Sequence, residues 1–192
     1  MEVQTPWNEH SSELKTNYVN AEEVRFNKLV KRLRNDPLLH QQYHSVIEQH
    51  LKMGIAEEID PSSEETGRIF YMPHQPVIRP DKPVRVVFDA SSHSKNEYSL
   101  NDCLYSGPNL NPPLLEILIQ FRSHSIAFTA DIEQAFLQIS LSPEDRDAVR
   151  FLWGNKNLTD KDGKPNTKIL RMTRVCLATS SPFLLAATIK IT

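Results

Sequence analysis

The chain has 192 residues, of which 39% are apolar and 24% charged, and its formal charge is −2 with a pI near 6.4. That length supports one hydrophobic core or two small subdomains, and neither it nor the composition suggests a disordered or membrane protein. The near-neutral balance lacks the basic excess that drives tight binding along phosphate backbones, so any nucleic-acid contact has to be local.

The opening residues, 1–19, are polar and read as a disordered tail without a signal-peptide core. From 20 to 34, Val24, Phe26, Leu29, Val30 and Leu33 recur near the 3.6 period, with Asn20 as cap and Glu22 and Glu23 in the first turn, which predicts an amphipathic helix. The same helix carries Arg25, Lys28, Lys31, Arg32 and Arg34. This run is either its wet face or a local phosphate contact.

A second helix is predicted to start at Asp36-Pro37, to carry Leu39, Tyr43, Val46, Ile47 and Leu51, and to stop near Gly54. The two make a helical hairpin over 20–59. His40 and His44 share a face of it at i, i+4 with no third ligand at a diagnostic distance, so they read as solvated histidines.

After an exposed loop at 60–67, two runs of strand composition follow at 68–72 and 84–88, separated by Pro73, Pro76, Pro80 and Pro83. They predict a β-hairpin or small antiparallel sheet with a long connection, because proline limits the ladder. Residues 89–113 read as loop. Leu114, Leu115, Ile117, Leu118 and Phe121 predict a buried helix, and 125–131 a strand that ends on Asp131.

Ser142-Pro143-Glu144-Asp145 is a helix start leading to a strand at 149–153. A turn at 160–167 precedes a returning strand at 169–175, and Ser181-Pro182 opens a last helix with Ser181 as cap. Cys103 and Cys176 show neither disulfide nor zinc-ribbon spacing and read as reduced thiols. No apolar run approaches the roughly 20 residues that cross a bilayer. The expectation is a soluble intracellular protein, cytoplasmic or nuclear, neither secreted nor membrane-bound.

The segment 128–139 carries the most chemical information. Its apolar run delivers one carboxylate, Asp131, with the Phe136 ring five residues on. Taken alone, Asp131 is either a metal ligand or the cap of the turn after the strand, and Phe136 either a pocket wall or a core side chain. Arg85 alternates with apolar neighbours and is either a phosphate contact or a solvent-facing cation.

Tyr71-Met72-Pro73-His74-Gln75-Pro76-Val77, Arg85-Val86-Val87-Phe88-Asp89-Ala90-Ser91, Ser99-Leu100-Asn101-Asp102, Gly107-Pro108, the Asp131 segment, Asp145-Arg146 with Arg150-Phe151-Leu152-Trp153, and Ser181-Pro182-Phe183-Leu184-Leu185 occur in consistent order. With them the chain resembles the first half of a reverse transcriptase, most specifically that of BEL/Pao-type long-terminal-repeat retrotransposons. The resemblance implies an α+β chain with a partial right-hand polymerase fold. After the helical hairpin, 60–124 would be fingers β-structure with a linking helix, and 125–192 an incomplete antiparallel palm sheet with packed helices.

The resemblance further implies that Asp131 is the first catalytic aspartate of a two-metal magnesium site, with the Ile132 carbonyl as a further ligand. Phe136 would be the steric gate that rejects a ribose 2′-hydroxyl, and Arg85 the cation along the incoming triphosphate. Arg79 or Lys82 would supply a second phosphate contact, while Ser181 would cap its helix and help position substrate. Asp89 and Ser91 would hold the end of the fingers strand. The implied partners are an RNA or DNA template-primer and a deoxynucleoside triphosphate.

Two departures weigh against activity. Arg174-Val175-Cys176-Leu177-Ala178-Thr179-Ser180 has no glycine where the family has Phe-Gly, and no Asp-Asp pair occurs in the 192 residues, so the Tyr-x-Asp-Asp hairpin is missing. The expectation is therefore a catalytically incomplete nucleotidyltransferase fragment. The alternatives are a non-catalytic nucleic-acid-binding module and a poorly folded pseudogene product with an unpaired strand edge.

Overall fold

In a computed structural model, the structure describes residues 2–60, 67–108, 110, 112–159 and 165–176. The first predicted helix is realised as a π-helical stretch, Asn20–Phe26, that runs into α1, Asn27–Asn35. The wider π turn explains why Ala21 and Phe26, five apart, are both buried, whereas Val24 is turned outward. Leu29, Val30 and Leu33 continue the buried stripe along α1.

Asp36 ends one helix and begins the next. Its N–H donates to the Leu33 carbonyl, and its Oδ1 accepts from the Leu39 N–H at 3.0 Å, which caps α2, Pro37–Lys52. Gly54, at φ +63°, closes α2, with its own N–H on the Leu51 carbonyl and the Ile55 N–H on the His50 carbonyl. The second helix is therefore bounded at the residues that its capping signals mark, whereas Asn20, expected to cap the first, lies inside a helical stretch that already begins at Tyr18 and donates from its side-chain amide to Ser94 Oγ at 3.3 Å.

The chain then forms β2, Ala56–Glu58, the central-sheet edge. That sheet is antiparallel in the order β2, β7 (Pro165–Met172), β6 (Arg150–Thr159), with Ala56 opposite Met172 and Phe151 opposite Leu170. A charged row crosses it. Arg171 Nε donates to Glu57 at 2.7 Å and Arg171 Nη1 to Asp147 at 2.8 Å, while Arg150 Nε reaches the same Asp147 oxygen at 3.1 Å. Asp147 and Arg150 are buried, so each depends on the other to offset its desolvation.

The predicted β-hairpin is displaced from its expected position. It consists of β3, His74–Arg79, and β4, Lys82–Phe88, joined at Pro80-Asp81. Both strands are edges of a two-stranded ribbon, so Pro76 and Pro83 are accommodated without a missing ladder partner. The predicted strand at 68–72 runs instead against the start of β6. Phe70 N–H donates to the Asp147 carbonyl, Met72 N–H to the Arg150 carbonyl at 2.7 Å, and Arg150 N–H to the Phe70 carbonyl. Asn17 clamps the intervening Tyr71 backbone from both sides, at 2.7 and 2.8 Å.

Three further expectations are corrected. The tail expected to be disordered is tied down: β1, Glu2–Val3, pairs in parallel with β5, Ser140–Leu141, and Asp145 accepts from the Thr5 N–H and the Trp7 indole N–H. The helix at 114 does form, as α3, Leu114–Arg122, but it has no buried residue. Residues 125–131 are irregular and solvent-exposed, without a ladder, because no described strand lies alongside to pair their backbone groups. The short helix expected after Ser142 does form, as a 3-10 segment, Pro143–Val149, opened by the Asp145 N–H on the Ser142 carbonyl.

The core lies between the helical hairpin, the β3–β4 ribbon and the β2–β7–β6 sheet, with Tyr43, Phe70, Phe151, Met72 and Met172 among its most deeply buried side chains. Cys103 and Cys176 are both buried.

Candidate functional site

His74, at the start of β3, joins the helical hairpin, the ribbon and the sheet. Its Nδ1 accepts from the Tyr43 hydroxyl at 2.5 Å, and its Nε2–H donates to the Leu152 carbonyl at 2.7 Å, an arrangement that requires the neutral ring. Tyr43 stacks on it at 5.8 Å, Phe151 meets it edge-on at 5.5 Å, and Phe88 and Trp153 complete the enclosure. Burial pushes the imidazole down to about 4, against a small opposing pull from its bond to Leu152. Burial likewise pushes the Tyr43 hydroxyl far up, so it stays protonated as the donor.

The ribbon built on His74 carries the expected phosphate contacts. Arg85 lies opposite Val77 and is exposed. Arg79 and Lys82 are exposed cross-strand neighbours flanking the turn, whose Asp81 sits at φ +58°. A bulge shifts the register between Val77 and Arg79, and because Arg85 pairs with Val77 and Lys82 with Arg79, two apart on β3, the three cations fall on one face of the ribbon. Asp89 behaves as local scaffold, with Oδ1 accepting from the Ser91 N–H at 3.1 Å.

Asp131 and Ile132 lie on the exposed segment after α3, with Ile132 53% accessible. The chain then turns through Gln134, at φ +51°, into a single 3-10 turn, Ala135–Gln138. This turn leaves Phe136 half-buried against the core. Among the described residues, no hydrogen bond or ion pair engages the side chain of either Asp131 or Arg85, so nothing described draws these two and Phe136 into one pocket. Ser181 lies outside the described residues.

The donor set does not fit a two-metal site. Among the described residues, no group of three His, Cys, Asp or Glu side chains is placed to hold a metal ion. Asp131 supplies one carboxylate where two bridged cations need several oxygens.

A different grouping, only half-visible in the sequence, does form. Arg25, Lys28 and Arg32 of the first helical segment line one wall of a cleft of about 430 Å³, and Gln75, Val87 and Asp89 of the ribbon line the other. Lys31 and Arg34, counted with them in the sequence, lie outside it. His74, singled out in the sequence only as part of a motif, closes the floor beside Leu29. No sequence signal short of knowing that the helix packs across the hairpin separates these three cations from their neighbours.

Helices and small antiparallel sheets arranged in this way are those of a partial polymerase fold resembling reverse transcriptase. A solved structure of a foamy viral protease-reverse transcriptase dRH in complex with double-stranded DNA matches 78% of this chain with a TM-score of 0.53 at 18% sequence identity. The chain spans 22% of that protein. No protein-family model matches the sequence, and no curated protein does.

Proposed function

We propose that these 192 residues are the fingers and part of the palm of an RNA-directed DNA polymerase of the BEL/Pao retrotransposon type, and that they do not polymerise by themselves. The observation that carries this reading is the likeness in fold to a reverse transcriptase over 78% of the chain. The ordered sequence blocks supply the finer assignment. Arg85 would lie along the triphosphate, with Arg79 or Lys82 as a second contact, Phe136 would act as the sugar gate, Ser181 would help position substrate, and Asp131 with the Ile132 carbonyl would be one third of a magnesium centre.

Catalytic incompleteness follows from the donor set. A lone exposed carboxylate leaves magnesium with a mostly aqueous shell, so it neither activates a primer hydroxyl nor clamps the leaving group. A second reading, a non-catalytic nucleic-acid module, is favoured by the cationic cleft and by the exposed, unladdered position of Asp131.

Magnesium-dependent primer extension tests the proposal. The expected outcome is no extension by the 192-residue chain, with primer-template binding that is the same in wild type, in Asp131→Ala and in EDTA. Extension by this chain refutes its incompleteness. Adjoining genomic sequence that encodes no Tyr-x-Asp-Asp segment in any frame argues against the polymerase ancestry.

A further inference from the structure

We infer that His40 and His44 of α2 chelate one divalent transition-metal ion of the Zn2+ or Ni2+ class, at a site that shares no residue with the cationic cleft or with Asp131. The two residues are four apart, so they sit one above the other on a single helix face, about 6 Å along its axis. Expected from the sequence to be solvated, both are partly buried. Their ring centroids are 6.0 Å apart. Two imidazoles on one ion, each bonded at about 2.0–2.1 Å, place their centroids roughly 5–6 Å apart, so the rings already stand near chelating separation.

Two nitrogens support the same ligand independently of the spacing. His40 Nε2 and His44 Nδ1 are both shielded from solvent, and neither has a hydrogen-bond partner among the described residues. Buried imidazole nitrogens ordinarily find a partner, and a single cation that accepts both lone pairs satisfies two adjacent rings at once. His44 is also held in place. Its Nε2 faces Glu48 Oε1 at 3.9 Å, which favours the proton on Nε2 and leaves Nδ1 as the ligand, and its ring stacks on Trp153 at 6.0 Å. His50 Nδ1 is unpartnered too, but it lies six residues beyond His44 on another face of α2. Imidazole suits Zn2+, Ni2+ and Co2+, whereas Mg2+ prefers oxygen, and water fills the positions that the two rings leave. A bound ion would fasten the start of α2 to Trp153 of β6 and stabilise the helical hairpin.

Calorimetric titration of the whole chain at neutral pH tests the site. One Ni2+ should bind per chain, with affinity falling in the order Ni2+, Co2+, Mn2+ and no heat from Mg2+. In a Trp7→Phe background, where Trp153 is the one remaining tryptophan, Ni2+ should quench its emission through the stacked His44 ring. Free Ni2+ at about ten times its Kd should raise the thermal midpoint by about 3–6 °C. His40→Ala and His44→Ala should each weaken binding at least about a hundredfold, and Glu48→Gln by less than about tenfold. His124→Ala, at an exposed position, should leave it unchanged. Backbone amide spectra of the wild type locate the ion without a substitution: Zn2+ should shift the signals of residues 40–44 and leave those around His10 and His124 in place.

Ni2+ binding that survives both single substitutions overturns the chelate, as do Zn2+ shifts confined to His10, which lies between Glu9 and Glu13 at 3.9 and 3.8 Å. Equal affinity for Mg2+ and Ni2+ would mean oxygen ligands and overturns ligation by imidazole. Absence of Ni2+ binding up to about 1 mM overturns the inference outright and leaves the polymerase-fragment reading as it stands.

Discussion

Acidification should unfold this protein through His74. The folded imidazole takes up a proton only near pH 4, against 6.5 for an ordinary histidine, because burial in an aromatic enclosure denies the charged ring its water, outweighing the opposing pull of its bond to the Leu152 carbonyl. Between those two values the unfolded chain holds the extra proton and the folded chain does not. Stability is therefore full above about pH 6.5, falls by about 1.4 kcal/mol per pH unit below it, and stops falling on this account near pH 4. The total is about 3 kcal/mol, a large share of the roughly 5–15 kcal/mol that holds a domain folded. His40 and His50, also pushed down by burial, add in the same direction.

The comparison that isolates the effect is His74→Gln, whose amide offers both an acceptor and a donor but does not titrate. Urea unfolding of both proteins across this pH range gives two curves of stability against pH. The variant should start about 1–2 kcal/mol lower at neutral pH, from lost ring packing, and then fall less steeply, so that the curves converge on acidification. Carboxylates contribute equally to both and cancel in the difference. Parallel curves would mean that His74 is charged or solvated in the folded state, and the account of the core junction would be wrong.

Asp145→Ala should release the N-terminal strap, because one carboxylate holds both the Thr5 N–H at 2.6 Å and the Trp7 indole N–H at 2.7 Å. The expected loss is about 1.5–3 kcal/mol, read as faster amide exchange at Thr5; unchanged exchange would show that the β1–β5 pairing alone suffices. Gly54→Ala isolates a backbone effect, since an added Cβ meets nothing within 4 Å while φ stands at +63°. Urea unfolding should show a loss of about 1 kcal/mol, and no loss would mean that the α2 terminus relaxes to another conformation.

The second helix was legible because its limits are set by local chemistry. Asp36 and Pro37 cap and start α2 whatever surrounds them, and Gly54 ends it through a backbone angle. The ribbon was less legible. Composition shows that 68–72 is apolar and β-favouring, but not that these residues accompany β6 while the hairpin begins at His74, since pairing is a tertiary choice. Periodicity of 3.6 likewise misses the π turn at Asn20–Phe26, where the buried spacing widens from four to five. At the candidate site, Arg79, Lys82 and Arg85 were readable as cations of one hairpin, but their faces depend on a bulge that no residue type announces.

The two largest departures share one physical cause. Leu114, Leu115 and Ile119 of α3 are each 60% accessible or more, and Ile126 and Phe128 exceed 80%, so apolar chain from 114 to 128 stands in solvent where the sequence pattern called for burial. A run of this kind has local helix or strand preference, but burial and a ladder both require a neighbour. Among the described residues no strand offers its edge to 125–131 and no apolar face covers α3. The resemblance implies a palm hairpin at that place, which would pair the strand and carry the remaining carboxylates. Among the described residues, the lack of one apolar neighbour with a free strand edge accounts at once for the exposed α3 and for the unladdered segment at 125–131.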